Sequence, residues 1–328
     1  MTINSQEKSE SEPPGNEVHQ VIADLKEAIW NRRPVLGDIM RKHGDKILYD
    51  YTQDFLDVNE SPVLDARKNE LIDTTKDLLK TRLGTEVAEG VARQLRKLPL
   101  VSTADHHGPI DHPFWINSNI ISGIPFNTIT DPDIRYLIAF SFASVSLNNS
   151  SQPRGFGFHG GLNGSGNIIK LSLLPDKLKM GVVYGMRAFT KDDVERVDHE
   201  VTRKERLGMT IKGKAEKVRE IINTFYNTPE VLDAPDFSAQ TTRINYRIWP
   251  HLFKQTSQKK TEEANGLSRV PDLIYLEIES LVSELLIRYH LHNPASLIHR
   301  LIFNPTYRAL ALKYFNNIAG AFSLDNKW

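Results

Sequence analysis

Between Leu98 and Ile124 the chain reads LPLVSTADHHGPIDHPFWINSNIISGI. Asp105, His106, His107, Gly108, Asp111 and His112 crowd into its central turn. Two chemistries suit that set. In the first, a ligand phosphate sits on the turn. Gly108 lets backbone approach a ligand closely, and Pro113 suits a first helical position because it needs no amide partner there. The amides beyond Pro113 and the imidazoles of His106, His107 and His112 would then hold phosphate oxygens and stabilise a transition state. In the second, Asp105, His106, His107 and His112 bind zinc or non-haem iron. The spacing offers no pair of histidines at i, i+4 on a helix, because His107 and His112 are five apart with Pro109 between them. A third, structural role remains open: imidazoles that cap the helix and pair with Asp105 or Asp111.

A second stretch, Asn148-Asn149 through Arg154-Gly-Phe-Gly-Phe-His159, joins turn formers to one strong anion binder. Arg154 suits a bidentate contact to phosphate or carboxylate. His159 suits a general base, or a partner to His106 and His107. The bland alternative is a β-hairpin whose arginine pairs with a surface carboxylate. A third stretch, Pro175-Asp176-Lys177, places a lysine near a helix start, where it would neutralise phosphate or simply be solvated. The histidines His251, His290, His292 and His299 read as packing and surface features. The basic run over 254–260 lacks interleaved aromatics, which argues against nucleic acid.

These residues must be positioned by regular elements. Residues 1–15 are polar and carry Pro13-Pro14, the composition of a disordered tail. Val18, Val21, Ile22, Leu25 and Ile29 form a helical apolar stripe that Pro34 interrupts. Further helices are expected over 36–43, 46–58, 64–83 and 86–97, together a helical layer packing on the chain beyond residue 97. The apolar run 98–102 reads as a strand leading into the polar turn, with a helix from Pro113. Residues 136–147 (YLIAFSFASVSL) read as a second strand, and 154–161 with 167–174 as a β-hairpin or a glycine-rich loop joining two strands. Thr190 followed by Asp193 is a capping signal. Beyond it 215–226, 241–255, 274–290, 294–303 and 305–315 are expected to be helical, with a polar connector over 255–268.

The stretch from Thr103 resembles the fingerprint of the cysteine-adding enzyme of bacillithiol biosynthesis. That family carries a strand, then Thr-Gly-Gln-Gln-x-Gly, then Gly-Pro-Leu-Tyr opening a helix. Thr103, Gly108 and Pro113 coincide with its Thr, its second Gly and its Pro, and Phe114-Trp115 stand for Leu-Tyr. Asp105 and His106 replace the glutamine pair, and His112 replaces the glycine before the proline. The similarity covers residues 84–124. It implies a fold similar to class I aminoacyl-tRNA-synthetase-like nucleotide-binding domains, whose first strand turn carries His-x-Gly-His. His106-x-Gly108 resembles the first half of that signature. The resemblance adds Thr103 to the candidate nucleotide contacts.

The resulting expectation is an α/β protein, Rossmann-like, with a mostly parallel sheet. A tail (1–15) precedes a helical layer (16–97), an α/β core carrying the site (98–190) and a helical C-terminal region (191–328). Formal net charge is zero, which removes any global argument for nucleic acid or an anionic membrane as partner. No apolar run reaches the roughly 18 residues that span a bilayer. With no cysteine there is no thiolate nucleophile and no Cys-ligated zinc. A cytoplasmic protein is expected, acting on a small molecule. The leading function is a ligase- or transferase-like enzyme that binds ATP with magnesium, another nucleotide or a phosphorylated metabolite, and activates a small acid. Its site would comprise Thr103, Asp105, His106, His107, Gly108, Asp111, His112, Asn148, Asn149, Arg154, His159 and Lys177. A metal-dependent hydrolase or oxygenase, and a non-catalytic scaffold, are the alternatives.

Overall fold

A computed structural model describes residues 15–47, 50–51, 54, 62–109, 113–123, 131–149, 153–160, 168–258 and 271–314. The chain divides into two compact units, Met1–Phe55 and Leu56–Trp328. The first is a helical hairpin. Helix α1 (Gly15–Arg32) ends before Pro34, which opens α2 (Pro34–His43) at the position where a missing amide costs nothing. Arg41 reaches back to Glu27 at 2.9 Å. The stripe Val18, Val21, Ile22, Leu25 and Ile29 is exposed rather than packed inward. The expected layer over 16–97 is therefore split, and its later part belongs to the second unit. The expected helix over 46–58 and the connector over 255–268 lie largely outside the described residues.

In the second unit α3 (Pro62–Leu83) and α4 (Thr85–Lys97) lead to β1 (Ser102–His106). Helix α5 (Pro113–Gly123) and β2 (Tyr136–Phe142) come next. An antiparallel hairpin, β3 (Gly155–His159) and β4 (Ile168–Ser172), precedes α6 (Lys191–Arg206) and α7 (Lys212–Ile221), which continues as a π turn through Tyr226. The long α8 (Phe237–Gln258) returns the chain to β5 (Asp272–Glu277), then α9 (Ile278–Leu285), α10 (Leu297–Phe303) and α11 (Pro305–Tyr314). Thr190 caps α6 in a reciprocal box with Asp193, as its spacing predicts.

Strands β1, β2 and β5 form a parallel sheet in the order β1-β2-β5. This is the expected α/β, Rossmann-like architecture. A parallel sheet covered on both faces needs strands that are apolar on both sides, and β2 is buried from Tyr136 to Ser141. Tyr136, Ile138 and Phe140, with Ile274 and Leu276, pack on Ile72, Leu79, Val91 and Leu95 of α3 and α4. Leu137, Ala139, Leu273 and Tyr275 face the other way, onto Trp249 of α8 and the apolar side of α5. A further core joins the hairpin to α6, α7 and α8 through Phe156, Leu171, Val194, Val197 and Phe237.

Two of the boundaries that differ from expectation do so for one reason. The strand expected over 98–102 starts only at Ser102, so Asp105 and His106 lie in the strand rather than the turn. The helix expected from residue 274 begins at Ile278, and Asp272–Glu277 supplies the edge strand of the sheet. The region 191–328 is thus not wholly helical. Short apolar runs do not reveal by periodicity which element they join; the choice here is made by pairing with β2. The strand expected through Leu147 stops at Phe142.

Helix α4 is tied to β2 by Gln94, a buried amide. Its Nε2 donates to the Tyr136 carbonyl at 2.6 Å, and its Oε1 accepts from the amides of Arg135 and Tyr136 at 2.9 and 2.8 Å. Leucine at this position leaves those backbone groups buried without partners. We expect Gln94→Leu to cost about 3 kcal/mol, read as a lower urea midpoint at unchanged m-value. A loss below about 1 kcal/mol would contradict this account.

Candidate functional site

Ligand sites of open α/β sheets lie beyond the carboxyl ends of the strands, and here those ends carry polar groups. The register of β1 against β2 slips between Thr103 and His106. In an unbroken strand Thr103 and His107 would share a face. The inserted residue breaks that parity, so Thr103 is exposed while His107 is fully buried. The His107 amide donates to the Phe142 carbonyl at 2.6 Å. Its ring stacks on Tyr275, with centroids 5.6 Å apart. Nε2 lies 3.0 Å from the Ser238 carbonyl and Nδ1 lies 2.7 Å from the Ser141 hydroxyl. A carbonyl only accepts, so Nε2 carries the proton and Nδ1 accepts from Ser141. Burial holds the His107 pKa below its ordinary value of 6.5, against the opposing pull of the Glu277 carboxylate. The imidazole is neutral, and both nitrogens are committed to the protein.

Glu277 ends β5 and is completely buried. Arg82 of α3, also buried, donates to its Oε1, and the Ser280 hydroxyl does so at 2.6 Å. Asp236 lies 3.6 Å from the same guanidinium. Glu279, two residues on, accepts from the amides of Ala143 and Ser144 at the end of β2. Sequence reasoning missed Arg82, Asp236, Ser238 and Glu277. The one available signal was a glutamate closing the apolar run DLIYL, the pattern of a strand end facing a site.

A separate cavity of about 720 Å³ gathers the second and third stretches. Asn148, Asn149, Arg154, Lys170, Asp176 and Arg196 line it. Arg154 is fixed by its backbone: its carbonyl accepts from the amides of Leu173 and Leu174, at 3.0 and 3.2 Å. Its guanidinium is mostly buried and reaches Asp176 at 2.7 Å. That contact is poorly aligned, and Nη1 makes no proper hydrogen bond. The Asp176 side chain is 82% exposed, so it is a weak and displaceable counter-ion.

The predicted residues fall into separate groups. Asn148, Asn149 and Arg154 come together. Gly108 packs on Pro153, where an added Cβ would sit 3.0 Å from the Pro153 Cα, so the two stretches touch through backbone. Its carbonyl accepts from Asn245 Nδ2 at 3.0 Å. His106 is half-buried, and its carbonyl accepts from the Tyr275 hydroxyl. His159 is exposed at the end of β3, where its carbonyl accepts from Lys214. Lys177 is exposed in a short 3₁₀ turn. Asp111, His112 and the side chain of Asp105 lie outside the described residues. Among the described residues no three His, Asp or Glu side chains are grouped to hold a metal ion, and His107 presents no open lone pair to one. Among them, too, no helix is long and apolar enough to cross a membrane. No family model, no curated protein and no solved structure matches this chain.

The buried neutral His107 has a consequence for stability. Unfolded, it titrates near 6.5; folded, it titrates lower. Between the two values the unfolded chain binds more protons, so stability is full above 6.5 and declines as pH falls. The expected contribution approaches about 1.4 kcal/mol per pH unit. Urea titrations from pH 7 down to about 5.5 should show this slope in the parent and a flatter one in His107→Gln. Equal slopes would refute the neutral, buried assignment.

Proposed function

We propose that this chain is a ligase- or transferase-type enzyme that binds a nucleotide or phosphorylated metabolite in the Arg154 cavity and there activates a small acid. The observation that carries the reading is Arg154 itself, a mostly buried guanidinium whose partner, Asp176, is exposed and badly aligned. A phosphate is a better partner, because it accepts two parallel bonds from the guanidinium fork. The cavity volume of about 720 Å³ falls within the range of small-molecule sites. Arg154, Lys170 and Arg196 give its lining three cations against the two carboxylates Asp176 and Glu200. The amides of Asn148 and Asn149 supply neutral hydrogen bonds to ribose or phosphate oxygens, and magnesium would accompany a triphosphate. The resemblance around Thr103 and Gly108 supports the same ligand class.

Calorimetry with ATP, AMP and ribose 5-phosphate, with and without magnesium, tests this. Arg154→Met should weaken binding by about 10- to 100-fold, the worth of a charge-assisted bond. Asp176→Asn should strengthen it several-fold by removing the competing carboxylate. Absence of binding for every phosphorylated probe, or equal affinity in Arg154→Met, would overturn the proposal.

A further inference from the structure

A second cavity, of about 470 Å³, opens at the carboxyl end of β5. Tyr184, Arg187 and Asp236 stand partly exposed at its rim, and the buried residues Ser238 and Glu277 line its inner part. None of these residues belongs to the Arg154 cavity. Two polar atoms here have no partner. Glu277 Oε1 receives Arg82 and Ser280, but Oε2 receives no hydrogen bond. His107 Nε2 is 3.9 Å away and gives its proton to the Ser238 carbonyl. The Ser238 hydroxyl is likewise buried without a partner.

A buried carboxylate oxygen lacking a donor is costly, and native proteins leave few. Both orphaned atoms belong to residues that line one open cavity, so a bound molecule can satisfy both. Charge narrows the class. Glu277 and Asp236 share a single cation, Arg82, whereas Asp193 is paired with both Arg187 and Arg196. The two carboxylates of the cavity lining thus outnumber the one guanidinium that contacts them, and an ionised oxygen is best met by a cationic donor.

We propose that this cavity binds a small molecule bearing a protonated primary amine. The ammonium donates one N–H to Glu277 Oε2 and a second to Ser238 Oγ, and its charge balances the excess carboxylate. Arg187 lies at the rim with one guanidinium nitrogen, Nη1, engaged by Asp193 and the Ala188 carbonyl. A ligand that also carries a carboxylate, an amino acid, would meet it there, whereas a simple amine would not need it.

The test uses the full chain with a panel of L-amino acids, their decarboxylated amines and their N-acetyl derivatives. Thermal shift serves as the screen and calorimetry as the measurement. At least one free amine should bind, and its N-acetyl derivative should bind at least 10-fold more weakly. Ser238→Ala should weaken the amine about 5- to 10-fold, and Glu277→Gln by more. Ser238→Ala keeps the test decisive if loss of the Arg82 partner unfolds Glu277→Gln. Arg187→Gln should weaken amino acids and leave decarboxylated amines unchanged if the natural ligand carries a carboxylate; unchanged binding of both identifies a simple amine. Arg154→Met should leave amine affinity intact, which separates this site from the phosphate proposal. Failure of every free amine to bind, equal binding of the acetylated forms, or unchanged affinity in Ser238→Ala and in folded Glu277→Gln would overturn the assignment.

Discussion

The buried pair of Arg82 and Glu277 is the constraint around which the second unit is arranged. The two residues are 195 positions apart, one on α3 and one at the end of β5. Neither charge can be buried alone, because an unpaired buried ion costs several kcal/mol. The pair therefore fixes the end of the sheet against the helical layer. Neighbours reinforce it. Arg243 of α8 donates to the Arg82 and Thr81 carbonyls, and Ser280 adds a hydroxyl to Glu277. Such a pair adds little net stability compared with an apolar substitute; its worth lies in the orientation it imposes. Glu277 is held so that one oxygen is saturated and the other is not.

His107 belongs to the same arrangement, as a neutral clamp. It links the end of β1 to Ser141 of β2 and to the Ser238 carbonyl near the start of α8. A charged imidazole there would meet the guanidinium of Arg82, and burial disfavours it in any case. The Nε2 proton goes to the Ser238 carbonyl at 3.0 Å, and Glu277 Oε2, 3.9 Å away, does not receive it. The clamp and the orphaned oxygen thus share one geometric origin.

The two cavities share a wall. Residues 143–147 run beside 181–184, with the Tyr184, Val183 and Leu147 amides donating to the carbonyls of Ala143, Val145 and Gly181 at 2.8 to 2.9 Å. Leu147 lines the Arg154 cavity, and Tyr184 lines the Glu277 cavity. The paired segments hold Asn148 and Asn149 at one end and Tyr184 at the other. A parallel strand that ends at Phe142 and then leaves the sheet is what makes such a wall possible.

The chain's pattern alone determined the α/β class, the helix opened by Pro113, the strand at Tyr136, the paired apolar runs after Arg154 and the capped helix at Thr190. Each is a local signal: a proline that needs no amide donor, an apolar run rich in β-branched and aromatic residues, an oxygen three residues from an acid. The grouping of Asn148, Asn149 and Arg154 was also legible, because those residues are close in sequence. Tertiary structure alone decided the rest. A register slip in β1 turned His107 inward, and periodicity carries no trace of an inserted residue. Asp272–Glu277 became a strand because β2 offered an edge, which no window around residue 274 contains. Arg82, Asp236, Ser238 and Glu277 meet from distant segments, and a buried charge chooses its partner by position in space. Local chemistry is written in neighbouring residues, whereas the satisfaction of a buried group depends on whatever the fold brings to it.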